Sequence, residues 1–375
     1  MKFFSPFFGY LLFLKSIKLN NLKKIIFFSE SRNYRNYLQN LIKALDEQPE
    51  ISIIYITSDS NDSEQISKNI KPIYIGSGFF RILLFYFIKC EMVIMTLTDL
   101  GNHEIKRSKF CKNYVYLFHS LVSTHKCYTH EAFKNYDIIL SNGEYQKKEL
   151  EHSEKIFNFK KKKIYNTGYL YLEELYKNKN KDLDKDKILF APSWNNASQN
   201  LFDDYAEKII DKLIEKKYKT ILRTHPETAK RSNKNLNKIA KKYSSDNNFE
   251  LSLDLRNLVS LNETSVLITD NGGIALEYMI VQRKPVLYID YSEKIHNKFF
   301  NKFVLETFED KIKKEIGTII SVKELDQIDF YLKEAKKNFH KNSYKIDKLS
   351  HEFGLIMKNQ TQNKKDIIFK LLENN

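Results

Sequence analysis

Short runs of β-branched and aromatic residues recur along this chain, each separated from the next by a longer amphipathic stretch. Strand-length runs stand at 24–29, 51–57, 72–76, 92–97, 114–118 and 137–141, with helical patterns between them, for example at 34–46 and 144–156. Alternation of this kind marks βαβ units and a parallel sheet. The runs are apolar almost without interruption, as expected of strands covered on both faces. Residues 177–187 (KNKNKDLDKDK) carry charge without apolar periodicity and predict a solvated connection. The pattern then restarts, with strands at 187–191, 219–223, 265–269 and 285–290 and helices at 202–217, 232–243 and 273–281. The tail after about 320 reads as helices. At 375 residues the chain exceeds what one hydrophobic core commonly organises. The predicted fold class is therefore α/β: two doubly wound, Rossmann-like domains facing each other, over 24–176 and 188–375, joined by 177–187 and ending in a helical C-terminal tail.

Charge narrows the partners. Lys and Arg number 62 against 47 Asp and Glu, a formal net charge of +15, which draws polyanions such as anionic lipid headgroups or a phosphate-rich polymer. Only eight of the 62 are Arg, and Lys, Asn and Ile are frequent throughout, so part of the excess is compositional drift toward solvated lysine. No zinc-finger spacing, aromatic RNA-binding motif or Gly-rich basic tail is present, and nucleic acid is not an expected partner. Cys90, Cys111 and Cys127 form no paired framework and no CxxC, which argues against disulfides and structural zinc and suits a reducing cytoplasm.

Residues 3–14 (FFSPFFGYLLFL) are apolar and aromatic, with Lys15, Lys18, Lys23 and Lys24 following. That length falls short of the roughly 20 residues that cross a bilayer, and no small-residue cleavage site follows to suit a signal peptide. Two readings fit 1–23: an interfacial arm on an anionic membrane, giving a peripheral protein on its cytoplasmic face, or a segment packed on the N-terminal domain. The apolar stretch 79–95 is broken by Arg81, Lys89 and Glu91 and reads as a helix followed by a strand.

Four segments carry candidate chemistry, each at the carboxyl end of a predicted strand, where open α/β sheets bind ligands. The sharpest is Thr269-Asp270-Asn271-Gly272-Gly273-Ile274-Ala275-Leu276-Glu277. Glycines let a pyrophosphate approach the unpaired N–H groups of a helix start, expected around Gly272, and Glu277, one turn on, suits ribose hydroxyls. A plain Asn-Gly turn with Asp270 as helix cap is the alternative. In Leu222-Arg223-Thr224-His225-Pro226, Arg223 and His225 suit phosphate oxygens, and His225 suits protonation of a leaving phosphate. Ala191-Pro192-Ser193-Trp194 holds the single tryptophan, either facing a cleft or anchoring the core. His119-Ser120-Leu121-Val122-Ser123-Thr124-His125-Lys126 offers a base in His119 and anion contacts in Ser120, His125 and Lys126. No further histidine or carboxylate has metal-ligand spacing there, and no metal is expected. His103, His152, His296, His340 and His351 read as surface residues.

Two doubly wound domains face to face give the GT-B architecture of many glycosyltransferases. Together the four segments resemble the CDP-glycerol glycerophosphotransferase family of teichoic-acid and capsule polymerases over residues 110–320. The likeness lies in His119-Ser120…Lys126, Ala191-Pro192-Ser193-Trp194, His225-Pro226, Thr269-Asp270 with Glu277, and Gly168-Tyr169 at the close of the first domain. It implies a peripheral membrane enzyme that displaces CMP from a CDP-alditol, CDP-glycerol or similar, and transfers to a lipid-linked or polymeric acceptor. His119 would then be the base for the acceptor hydroxyl and His225 would stabilise the pyrophosphate. The nucleotide-linked donor is a substrate, and no tightly bound cofactor is implied. Gly272-Gly273 stands where that family has Ser-Ser, a version closer to UDP-sugar 2-epimerases and several glycosyltransferases. An epimerase would need acid/base carboxylates on the first-domain strand ends, for which Glu30 and Asp59 are the clear candidates. A non-catalytic nucleotide- or polymer-binding protein is the third reading.

Overall fold

The computed structural model describes residues 5–18, 23–179, 187–195, 199–253, 258–356 and 358–373. Among them thirteen strands build two parallel sheets. The first contains β1 (Lys23–Ser29), β2 (Ile51–Thr57), β3 (Ile73–Tyr74), β4 (Cys90–Met95), β5 (Cys111–Leu117), β6 (Ile138–Ser141) and β7 (Lys163–Asn166), in the order β3-β2-β1-β4-β5-β6-β7. The second contains β8 (Lys187–Phe190), β9 (Lys219–Arg223), β10 (Phe249–Ser252), β11 (Thr264–Thr269), β12 (Val286–Asp290) and β13 (Thr318–Ser321), in the order β10-β9-β8-β11-β12-β13. Both are doubly wound, and the direction of winding reverses between β1 and β4 and again between β8 and β11. Such reversals open a crevice at the carboxyl ends of the strands.

Amphipathic helices cover the sheets as the periodicity requires. In Leu201–Glu215, Ala206, Ile209, Ile210 and Leu213 lie on one stripe and are buried with Ile188 and Phe190 of β8. Asn200 caps that helix, its side chain accepting from the Asp203 amide at 3.0 Å. Each such Ile or Leu side chain contributes about 1.5–3 kcal/mol when fully withdrawn from water. Residues 79–95 form the helix Phe79–Phe87 and then β4.

Three strands that the sequence does not signal, β7, β10 and β13, lie at or beside the sheet margins and are only partly buried. Half-covered strands carry less of the apolar run that announces a central one. The expected helix at 273–281 is shorter at first: it runs Ile274–Glu277, continues as a wider π-type turn over Tyr278–Gln282 and stops at Arg283 with φ 53°. Of the connection 177–187, Lys177 still ends a helix and Lys187 opens β8, whereas 180–186 lie outside the described residues.

The tail forms helices Ile328–Asn342, Lys345–Glu352 and Gln360–Glu373. The last crosses back onto the first sheet rather than staying with 188–375. Ile368, Leu371 and Leu372 are buried with Ile25, Phe27 and Leu41, and the Lys23 ammonium donates to the Leu372 carbonyl at 2.6 Å. Its apolar stripe completes the first domain's core, which is why it leaves the second.

Within 1–23, the helix Pro6–Lys18 packs beside β3, with residues 1–4 and 19–22 outside the described residues. Gly9 is required there, since a Cβ would fall 1.7 Å from the Tyr74 carbonyl oxygen, and Phe13 is 2% exposed in the first-domain core. The same helix leaves Phe7, Phe8, Leu11, Leu12 and Leu14 exposed. No helix among the described residues is long and apolar enough to cross a membrane.

Candidate active site

The carboxyl ends of the two sheets enclose a cleft of about 480 Å³, within the size range of small-molecule sites. Its second-domain wall is built from three strand ends. After β8, Ala191, Pro192, Ser193 and Trp194 reach the cleft; after β9, Arg223 and His225; after β11, Gly272, Gly273 and Glu277. Asp270 does not line it. Its carboxylate takes the Ser193 amide (2.8 Å) and hydroxyl (2.9 Å), bracing the β8 loop against the β11 loop, and Asn271 donates to the Ser292 carbonyl (2.9 Å). Both are struts of the wall rather than parts of its surface.

Gly273 is where the domains nearly touch: a Cβ there would come 2.7 Å from the Ser120 hydroxyl and 3.5 Å from Val122, both of the first domain. Glu277 is buried, and its Oε1 accepts from the Tyr169 hydroxyl at 2.8 Å, while that hydroxyl lies 3.1 Å from the His119 carbonyl. Burial pushes the Glu277 carboxyl up to about 7, with the Tyr169 bond and the Arg223 charge opposing. Arg223 is itself buried and holds the Ser260 hydroxyl at 2.7 Å.

The two histidines that the sequence singles out meet in the cleft. Burial, with the nearby Lys294 charge, depresses His119 to about 4 and His225 to about 3. Both are therefore neutral at neutral pH. His225 caps the helix Pro226–Arg231, its Nδ1 accepting from the Glu227 amide at 3.2 Å. That bond assigns the proton to Nε2, which makes His225 a hydrogen-bond donor in the free protein rather than a charged acid. His119 rests edge-on to Tyr34 (5.1 Å between ring centres) and near Tyr37 (5.8 Å), with a buried Nδ1 that has no hydrogen-bond partner.

Ser120 is at the cleft, but His125 and Lys126 are not. The His125 Nδ1 lies 3.2 Å from Glu149 and its Nε2 3.3 Å from the Leu305 carbonyl. Lys126 pairs with Asp310 at 2.7 Å, and its carbonyl accepts from the His296 amide at 2.9 Å. With Asn297 donating to the His125 carbonyl (3.0 Å), these residues join the domains.

His296, read as a surface residue, faces the cleft beside Trp194 at 5.5 Å between ring centres, its Nε2 buried and unpaired. No motif in the sequence marks Lys294. It sits in the cleft, 6.0 Å over the Trp194 ring, and forms no ion pair among the described residues. Trp194 is thus cleft-facing, with His225 stacked at 6.3 Å and Arg231 over the ring at 5.6 Å. The first-domain wall adds Glu30, Asn33 and Tyr34 after β1, and Thr96, Thr98 and Asp99 after β4. Asp59 instead accepts from the Arg32 amide at 3.0 Å. Glu30, the acid/base candidate of the epimerase reading, thus lines the cleft; the loop after β12 has no motif spacing, and the strand-end rule alone could have nominated it.

Two doubly wound domains facing each other across a cleft whose wall carries cationic groups, histidines, glycines and a buried carboxylate make a GT-B-like fold. The chain belongs to the CDP-glycerol:poly(glycerophosphate) glycerophosphotransferase family, whose family model matches residues 10–350. Among solved structures the fold matches the wall teichoic acid polymerase TagF at TM-score 0.64 and 16% identity, over 98% of this chain and 94% of that one. A TagF variant soaked with CDPG matches at TM-score 0.60 and 16% identity, over 98% of each chain. The UDP-GlcNAc 2-epimerase from Neisseria meningitidis bound to UDP-GlcNAc matches at TM-score 0.61 and 14% identity, over 94% of this chain and all of that one. No curated protein sequence matches the chain.

Proposed function

We propose that this protein transfers a glycerol-phosphate-like unit from CDP-glycerol, or a close relative, to the hydroxyl end of a lipid-linked or polymeric acceptor. The observation that carries the reading is the meeting of His119 from one sheet with Arg223, His225, Gly272 and Glu277 from the other in one cleft. In this reading the second domain holds the donor: the amides near Gly272 and Gly273 and the Arg223 guanidinium take the pyrophosphate, and Glu277 takes a ribose hydroxyl. The acceptor oxygen attacks the β-phosphorus, its proton passes to neutral His119, and the bond to the α-phosphate breaks to release CMP. His225 donates from Nε2 to the oxygen that gains charge as that bond breaks. Ser193, Asp270 and Asn271 keep the wall in shape.

The exposed aromatic and aliphatic residues of Pro6–Lys18 lie next to those of the helix Phe79–Phe87, where Phe79, Ile82, Tyr86 and Phe87 are exposed. Phe7 and Phe80 join the two helices at 5.6 Å between ring centres. An apolar face on a chain of net charge +15 suits an anionic membrane bearing the acceptor. The experiment is a donor panel: CMP released from CDP-glycerol in the presence of acceptor supports the reading. Epimerisation of UDP-GlcNAc without CMP release would replace it with the isomerase.

A further inference from the structure

Where the domains meet, one hydrogen has two claimants. The Tyr169 hydroxyl lies 2.8 Å from Glu277 Oε1 and 3.1 Å from the His119 carbonyl oxygen, and a phenol has a single hydrogen to give. Among the described residues no other group donates to that carbonyl. Tyr169 is fully buried and cannot turn to water. Its ring stacks on Tyr37 at 6.0 Å between centres and 19° between planes. Behind it the Gly168 carbonyl takes the ammonium of Lys364, a buried residue of the last helix. Gly168 has φ 83°, and a Cβ there would fall 2.5 Å from Gln360 of the same helix. The phenol is thus held in place, and its hydrogen alone is left to change partner. The state of Glu277 decides which partner it takes. As a carboxylate Glu277 is the stronger acceptor and wins the hydrogen, leaving the carbonyl bare. As a neutral acid Glu277 donates its own hydrogen to the phenol oxygen, and Tyr169 turns to His119, so that all three groups are satisfied. Burial pushes this carboxyl up to about 7, against the Tyr169 bond and the Arg223 charge. Tyr37 and Tyr171 are the other titratable groups beside it.

We propose that Tyr169 is a positioning residue of the transfer: a ribose hydroxyl bound at Glu277 draws the Tyr169 hydrogen to the carboxylate and releases the peptide that carries His119. The proposal rests on the transferase reading above, which puts the donor ribose at Glu277. A hydroxyl that donates to Glu277 favours the carboxylate over the acid. A bound donor and a hydrogen bond to the His119 carbonyl therefore oppose each other. In the empty cleft with Glu277 protonated, the phenol ties the His119 peptide to the other domain; with a donor bound, the tie is broken. The next residue is placed to pass this on, since the Ser120 hydroxyl faces Gly273 at the expected pyrophosphate site. The base is thereby released when a donor is in place, and by reciprocity a tied cleft binds donor less tightly.

The test follows the His119 carbonyl itself, by nuclear magnetic resonance of the full chain. Carbon-13 on histidine carbonyls with nitrogen-15 on serine amides marks His119-Ser120 and His152-Ser153 alone, and Ser153→Ala leaves the first. Without ligand, the signal should shift in one step as pH is lowered from about 8 to about 6, through the value of about 7 at Glu277. CDP added at the lower pH should return it toward its high-pH position. Tyr169→Phe keeps the ring and should abolish both responses. Glu277→Gln, whose amide still donates to the phenol, should hold the signal at the low-pH position throughout, and it serves if the phenylalanine variant does not fold. A wild-type signal that ignores pH, one that fails to return when CDP binds, or one that moves equally in Tyr169→Phe overturns the proposal. A purely structural tyrosine would give none of these responses. CMP release from CDP-glycerol by the wild type reports the transferase reading separately: without it that reading fails, while the carbonyl response to pH and to CDP still decides this one.

Discussion

A histidine that lines a cleft beside a lysine and is largely withdrawn from water stays neutral at physiological pH, and that limits what His119 and His225 can do. His119 can accept a proton, and His225, with Nδ1 committed to the Glu227 amide, can donate a hydrogen bond from Nε2. A bound pyrophosphate would raise both by supplying the opposite charge. Glu277 is the converse case. Its carboxyl is raised from 4.5 to about 7, so between those values the folded protein holds a proton that the unfolded chain has lost. Stability therefore falls as pH rises through this window, by about 3 kcal/mol if the whole displacement is realised. Glu277→Gln removes the titration. We expect its melting temperature, measured relative to wild type, to rise between pH 5 and pH 8, and a difference independent of pH would show that the buried carboxyl is not strained. The same variant should bind CDP more weakly, because an amide is a poorer partner for a ribose hydroxyl than a carboxylate.

At the scale of elements, the turn between β11 and the helix Ile274–Glu277 is the most constrained part of the cleft. The sequence argued for Gly273 from the approach of a phosphate, and the structure adds the approach of the other domain, Ser120 and Val122. Gly273→Val should push these loops apart. CDP affinity should drop by at least about tenfold and the melting temperature should fall, as overpacking costs about 1–3 kcal/mol. Wild-type affinity and melting would mean that the two loops move freely against each other. Residues legible from the sequence, such as Arg223, His225 and Glu277, share local patterns at the ends of apolar strands. Lys294 and His296 share none; they meet the others only because the chain reversals bring the loop after β12 to the same opening. His125 and Lys126 show the opposite failure. Their pattern is local, but their partners Leu305 and Asp310 lie about 180 residues further on and take up both side chains. Central strands were legible because both faces are apolar, while β7, β10 and β13 carry a weaker signal.

Over the whole molecule, the two domains meet along the cleft and are joined behind it by Lys126–Asp310, His125–Leu305 and the crossing of the last helix onto the first sheet. The helix Pro6–Lys18 belongs to this framework through Gly9 and Phe13, so deleting it would open the first-domain core. The membrane contact proposed for it is better tested by Leu11→Ser with Leu12→Ser, two residues on its exposed side. Binding to vesicles containing anionic lipid at low salt should weaken several-fold with melting unchanged, and undiminished binding would assign membrane contact elsewhere. As proposed above, a donor on the second-domain wall is attacked by an acceptor hydroxyl whose proton passes to His119 on the first. The most direct test is the rate of CMP release from CDP-glycerol, with acceptor present, for wild type and His119→Ala, beside their CDP affinities. The rate in His119→Ala should fall by at least about a hundredfold, the usual scale for a lost acid–base group, with CDP affinity within about twofold. A His119→Ala protein that releases CMP at the wild-type rate would contradict it.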